Sequence, residues 1–435
     1  MGEHRRRRRP GPRAGEPRAV GGPRVGLLGL FGQGNLGNDG SLEAILAYLR
    51  DRHPDAVLDV RCTRPKLVAE RYEVAADRLR WYRPEDHPTT GPVSRLLKAL
   101  GVGLGLGIDA VRTARWVRRH DVVIVPGMGV LEATLPLRPW HLPYLMYLLG
   151  RSGRRFGTRV ALVSVGSNVI RQRLTRALVT SAARAAHYRS FRDERARAAM
   201  DEMGVDTSRD PVYPDLAFSL LIPDGIAAGP GAVGVGVMEY SGGNDDRPRA
   251  GEIRAAYLAG MTKFVSWLVD QGRPVRLLAG DTIDQPVVDG VVAEVRRQRP
   301  ALGAAALVAE PAQTLGELMD QLATVDTVVA TRYHTVLCAL IMAKPTLAVG
   351  YGVKFDALMA EMELAEFSQS ARALDPDRLI EQFTELERRA PELAVTVARQ
   401  AAASTARLER QFTELSARLF RPEQPAPPSL EETTR

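Results

Sequence analysis

Cysteine is nearly missing from this chain: Cys62 and Cys338 are the only two in 435 residues. Both fall inside apolar runs, which excludes a disulfide framework or a cysteine-built zinc site and points to reduced thiols in a cytoplasmic protein. No spacing of His, Cys, Asp and Glu suggests a metal site, so none is expected. Long apolar runs are missing too. The nearest candidate, ALGVGLGLGI from Ala99 to Ile108 between Lys98 and Asp109, is about half of what spanning a bilayer requires. It is expected to be a loop folded onto the core, with a peripheral contact to a membrane or a lipid-linked substrate as the other option. A secretory signal is not expected, because the first apolar stretch runs straight into glycines without a small-residue cleavage site.

The net charge of +8 is badly spread. Residues 1–24 hold eight arginines against Glu3 and Glu16, leaving the rest of the chain near neutrality. A folded nucleic-acid-binding body is therefore not expected. The Arg-, Pro- and Gly-rich segment has almost nothing to bury and reads as a solvated, disordered tail.

What the sequence does have is length and alternation. A chain of 435 residues exceeds one ordinary hydrophobic core, so two domains are expected. Short β-branched runs at 25–30, 57–61, 121–125 and 159–165 alternate with helical patterns such as Leu42, Ile45, Leu46 and Leu49 on one face. After LIPDGIAAGPGA, the alternation restarts at 233–237 and continues through 253–271, 275–278, 327–330 and 346–349. The expected architecture is α/β, with two Rossmann-like domains facing across a cleft. Residues 25–222 form the first, 223–232 a linker, 233–370 the second and 371–420 C-terminal helices, with a loose tail at 421–435.

GLLGLFGQGNLGNDG places Gly32, Gly34 and Gly37 in the spacing of a dinucleotide loop, with Asp59 about 20 positions on. Two details argue otherwise. The helix is expected to start only at Asp39 to Ser41, after the third glycine, and Asp59 lies within its strand. Asn35, Asn38 and Asp39 also crowd a loop that the fingerprint does not explain. Backbone amides at that helix start would still attract an anion or polar ligand. Gly127 and Gly129 follow the strand ending at Val125, and Gly166, Ser167 and Asn168 follow the next one. All three turns should meet at the carboxyl rim of one parallel sheet, where ligands bind in such folds.

The densest chemistry lies in VDTVVATRYHTVLCALIMAKPTLAVGYGVKF. Arg332 and His334 occupy a strand-to-helix turn, and Lys354 follows the next strand. An arginine there can grip a carboxylate or phosphate, and a histidine can move a proton. Mid-chain, Arg192 and Asp193 end a short strand, where Arg192 is the site candidate and Asp193 serves equally well as a helix cap.

Together, GQGNLGNDGSLEAIL, SFRDERARAAMDEMGV, PDLAF, GDTIDQPVVDGVV and TRYHTVLCALIMAKPTLAVGYGVKF resemble the polysaccharide pyruvyl transferase family over roughly residues 25–365. The resemblance implies a GT-B-like architecture and transfer of a pyruvyl group from phosphoenolpyruvate to two sugar hydroxyls, forming a ketal. No cofactor is implied, and the acceptor would be a sugar or lipid-linked saccharide. It implies that Arg332 and His334 bind phosphoenolpyruvate and transfer a proton, that Arg192 is a second anion clamp beside Asp193, and that Asn35 and Gly37 face the acceptor. The family usually carries Asp directly after that glycine, where this chain has Asn38 and then Asp39. Its second glycine loop is also thinner than usual, PGMG. The residues alone leave open a nucleotide-sugar glycosyltransferase using Arg332 and Lys354, a nicotinamide oxidoreductase built on Gly32, Gly34 and Gly37, and a non-catalytic binding protein.

Overall fold

The computed structural model describes residues 22–86, 91–132, 138–226 and 228–420. The expectations for the arginine-rich tail before residue 22 and for 421–435 lie outside these residues. Arg24, assigned to that tail from the sequence, already belongs to the first strand.

The first lobe alternates strand and helix: β1 (Arg24–Leu28), α1 (Leu36–Arg52), β2 (Val57–Cys62), α2 (Pro65–Tyr72), β3 (Ala75–Arg78), α3 (Pro92–Val117), β4 (Val122–Pro126), α4 (Leu142–Phe156), β5 (Arg159–Val165), α5 (Arg173–Ala185), β6 (Tyr188–Phe191) and α6 (Glu194–Glu202). Its sheet is parallel, in the order β3-β2-β1-β4-β5-β6. The second lobe repeats the plan with β7 (Val233–Val237), α7 (Ala250–Asp270), β8 (Val275–Ala279), α8 (Gln285–Gln298), β9 (Leu307–Ala309), α9 (Leu315–Ala323), β10 (Thr327–Ala330), α10 (Tyr333–Ile341), β11 (Thr346–Gly350), α11 (Val353–Glu361) and β12 (Ser368–Ser370). Its order, β12-β11-β10-β7-β8-β9, is the same one when counted within the lobe. In both sheets the strand order thus reverses between the first and fourth strands, the place where such folds bind ligands. The expected pair of Rossmann-like domains facing across a cleft is what forms.

The central strands VVIVP and VGVGV are buried along their whole length because helices cover both faces. Beyond β12 the chain makes α12 (Pro376–Arg388) and α13 (Ala390–Leu419). Phe383 of α12 meets Phe264 of α7 edge to face, which keeps α12 on the second lobe. The longer α13 returns to the first lobe. There Gln411 is fully buried and donates to the hydroxyls of Ser164 and Ser190 at 3.1 and 2.8 Å.

Two expectations need correction. Ala99–Ile108 is no loop but the middle of α3, where Gly101 and Gly105 let the helix lie against Tyr82. And α1 begins at Leu36, not at Asp39 to Ser41, because the Asn35 side chain caps it by accepting from the Asn38 amide at 3.2 Å.

Candidate functional site

A cavity of about 160 Å³ opens where the carboxyl ends of the two sheets face each other. Asn35, Gly37, Asn38, Gly129, Glu132 and Arg192 line it from the first lobe, and Asp281, Arg332, Tyr333, His334, Tyr351 and Lys354 from the second. Arg192, Asp281, Arg332 and Tyr351 stand within two residues of a strand end, so the two sheets hold this part of the wall in register.

His334 sits in the first turn of α10 with its Nε2 3.8 Å from Asp215 Oδ2. Burial alone would raise the Asp215 carboxyl. His334, Arg192 and the Ala217 amide outweigh it and hold the carboxyl down at about 2. Asp215 is therefore ionised at neutral pH, an anion at ion-pair distance from the imidazole. From the other lobe, the Gly37 backbone lies so close that a Cβ there would stand 1.9 Å from His334 Cε1. Gly37 is a contact surface for the ring.

Arg192, the residue after β6, has its guanidinium 3.7 Å from Asp215, 3.8 Å from Glu132 and 5.5 Å from the centre of the Tyr333 ring. Burial works against its charge, but Tyr333 and these carboxylates reverse that and raise its pKa. Its Nε is buried without a hydrogen-bond partner, 3.8 Å from Asp193 Oδ2. Lys354 adds a second cation 4.9 Å from the same Tyr333 ring. Arg332 is held differently from the free bidentate clamp envisaged from the sequence: Nε and one terminal nitrogen donate to the two oxygens of buried Asp284 at 2.7 and 2.6 Å. Its fork is taken and its charge balanced by that carboxylate, so it offers its remaining edge. No side chain caps the N-termini of α10 and α11, leaving their first amides for a ligand.

Several other residues chosen from the sequence do not line the cavity. Gly34, at φ +93°, faces Thr282 of the second lobe, whose hydroxyl fills the space of a Cβ, and Thr282 N donates to Gly34 O at 3.2 Å. The loop is thus an interlobe contact, continued by the Asn35–Asp281 bridge. Asp39 points away and accepts from the Gly32 amide at 2.7 Å, with its pKa raised by burial. Gly127 packs on Ser41. Gly166 backs the Glu132 carboxylate and Arg192, while Ser167 bridges to Leu131. Asn168 is not part of the cavity wall. Asp193 caps α6 through the Ala196 amide at 2.7 Å. Asn38 does line the cavity, and its amide donates to Leu30 O at 3.4 Å.

Sequence reasoning gave no role to Asp215, Asp281, Asp284, Glu132, Tyr333 or Tyr351. Asp215 and Asp281 lie in the PDLAF and GDTIDQ segments, which were the available signals. Asp281 faces the cavity with its carboxyl raised by burial. Among the described residues, no group of three or more His, Cys, Asp or Glu side chains is placed to hold a metal ion. No helix among them is long and apolar enough to cross a membrane.

A sequence model of polysaccharide pyruvyl transferases matches residues 35–352. No curated protein matches the chain significantly. Among solved structures, the chain is similar to a UDP-GlcNAc 2-epimerase from Methanocaldococcus jannaschii (9% identity, 83% of this chain and 91% of that one, TM-score 0.54). It is also similar to a putative UDP-N-acetylglucosamine 2-epimerase from Listeria monocytogenes (12% identity, 90% and 97%, TM-score 0.55). These likenesses are of fold, and the fold is GT-B-like.

Proposed function

The chain belongs to the polysaccharide pyruvyl transferase family, and from that premise we propose that it moves a pyruvyl group from phosphoenolpyruvate onto two hydroxyls of a saccharide, free or lipid-linked, releasing phosphate and leaving a cyclic ketal. What supports this most directly is the convergence of Arg192, Arg332, Lys354 and His334 on one small cavity beside two uncapped helix starts. A compact ligand with about three negative charges needs such a setting.

In this function Arg192, Lys354 and the α10 amides hold the phosphate and carboxylate. Arg332, fixed by Asp284, adds a donor edge that does not have to be ordered on binding. The enol methylene takes a proton to become a methyl group, and the first sugar hydroxyl attacks the carbon that becomes electron-poor. The bond from that carbon to the phosphate oxygen breaks. The neighbouring hydroxyl then forms the second C–O bond. Of the two hydroxyl protons lost, one leaves with phosphate and one balances the proton consumed. His334, at ion-pair distance from Asp215, is the group that moves a proton, and Asp281 is a second carboxyl within the wall. Asn35, Asn38 and Glu132 form the first-lobe side, where the acceptor hydroxyls would lie.

The decisive assay mixes the protein with phosphoenolpyruvate and a panel of free, nucleotide-linked and lipid-linked saccharides, then weighs the products. Acceptor-dependent phosphate release with a pyruvate ketal on the sugar is expected. Tight binding of a uridine or guanosine diphosphate with no response to phosphoenolpyruvate would replace this function with glycosyl transfer. The nicotinamide alternative loses its footing at two points: Thr282 occupies the space over Gly34, and Asp59 accepts from Trp116 Nε1 at 3.1 Å.

A further inference from the structure

Helix α3 is amphipathic in the wrong sense for a protein surface. Its inward stripe is Gly105, Asp109, Thr113 and Trp116, all buried. Asp109 accepts from the Trp81 amide at 2.9 Å and Thr113 from Arg61 at 3.1 Å, so the polar side chains are committed to the interior. The outward stripe is Val93, Leu97, Leu100, Leu104 and Val111, with Leu96 at its edge. These side chains share one face at helical spacing, and the four leucines are 61 to 62% exposed. Nothing among the described residues packs over them.

The helical layer that carries this stripe is strongly basic. Helices α3, α4 and α5, which pack side by side, carry ten lysines and arginines and a single carboxylate, the buried Asp109. The apolar stripe runs along its own helix into exposed Arg115 and then Arg118 and Arg119. Beside them, Ala114, Arg151, Arg154, Arg155 and Phe156 line a shallow basin of about 490 Å³. Among the described residues, Arg115, Arg118, Arg119, Arg151 and Arg155 have no carboxylate within ion-pair distance. The near-neutral charge of the body therefore hides a segregation that only the fold reveals.

We propose that this face docks the protein on an anionic lipid bilayer, with the α3 stripe entering the interfacial layer and the arginines at its end meeting lipid phosphates. Apolar insertion together with cation–anion attraction is the recognition mode of helices that lie in a membrane surface. A polyanion without an apolar phase would leave the leucines unexplained. A second copy of this chain would set arginines against arginines.

The test is co-sedimentation of the full chain with vesicles of phosphatidylcholine containing about one third phosphatidylglycerol, against phosphatidylcholine alone. Binding to the anionic vesicles and its loss at high salt are expected. Leu97→Ser with Leu100→Ser and Leu104→Ser, and separately Arg115→Ala with Arg118→Ala and Arg119→Ala, should each lower partitioning about tenfold or more. Unchanged thermal melting of both variants shows that the fold is kept. The arginine-rich segment before residue 22 is present in every sample, so vesicle binding that the variants leave unchanged would assign the contact to that segment and overturn the proposal. It is equally overturned if the chain ignores the vesicles, if it forms a dimer that the leucine changes break, or if it retains a polynucleotide regardless of those leucines. Each outcome is independent of whether phosphoenolpyruvate is turned over.

Discussion

Gly37→Ala separates the chemistry of the site from the stability of the fold. Gly37 lies in the first turn of α1, where alanine is the better helix former by up to about 1 kcal/mol. Its backbone is not in the left-handed region, so alanine adds no strain there. The added methyl would nevertheless stand 1.9 Å from Cε1 and 2.0 Å from Nδ1 of His334. Ordinary carbon contacts begin near ~3.5 Å, so the ring must retreat by roughly 1.5 Å. It is the end of a side chain and can swing, so the melting temperature should stay level or rise slightly. Misplacing a catalytic group by about 1 Å costs on the order of 100-fold, and acceptor-dependent phosphate release should fall by about that much. His334→Ala should lose about 100- to 10,000-fold. Because the methyl then has nothing to displace, adding Gly37→Ala to His334→Ala should cost nothing further. Turnover within about threefold of wild type in Gly37→Ala, or a full additional loss in the double variant, would refute the contact as the means by which Gly37 acts.

Asp215, depressed to about 2, stabilises the native state above the ordinary carboxylate range and loses that contribution as pH falls from about 4 toward 2. Acid titration of unfolding should show about 2 kcal/mol lost over that window in wild type and a shallower slope in Asp215→Asn. Asp284→Ala strips Arg332 of its partner and the Glu239 amide of an acceptor. Denaturant unfolding should register about 3 kcal/mol or more, with a raised KM for phosphoenolpyruvate. Arg192→Lys keeps the charge but loses the planar fork and the Tyr333 contact, and calorimetry should find phosphoenolpyruvate binding weakened about tenfold or more.

The sheets were legible because their central strands are runs of β-branched residues that stay buried on both faces, as at 122–125 and 233–237. The edge strands β3, β9 and β12, including AADR and SQS, carry no such run and were not foreseen. Helix α3 was misread because four glycines between Ala99 and Ile108 argue against a helix locally, whereas Tyr82 rewards their small size in the tertiary structure. At the site, Arg192, Arg332, His334 and Lys354 could be found because each follows a strand. Asp215 and Asp284 could not be paired with them, since no local pattern says which carboxylate will meet which base across 119 or 48 positions.

The central claim is that one cavity between the lobes receives the phosphoenolpyruvate trianion, and a crystal structure of the protein soaked with that compound tests it most directly. The phosphate and carboxylate should lie at hydrogen-bond distance from Arg192, Lys354 and the first amides of α10, with the enol carbon facing His334. Phosphoenolpyruvate bound elsewhere, or a saturated crystal with this cavity still free of it, would contradict the account.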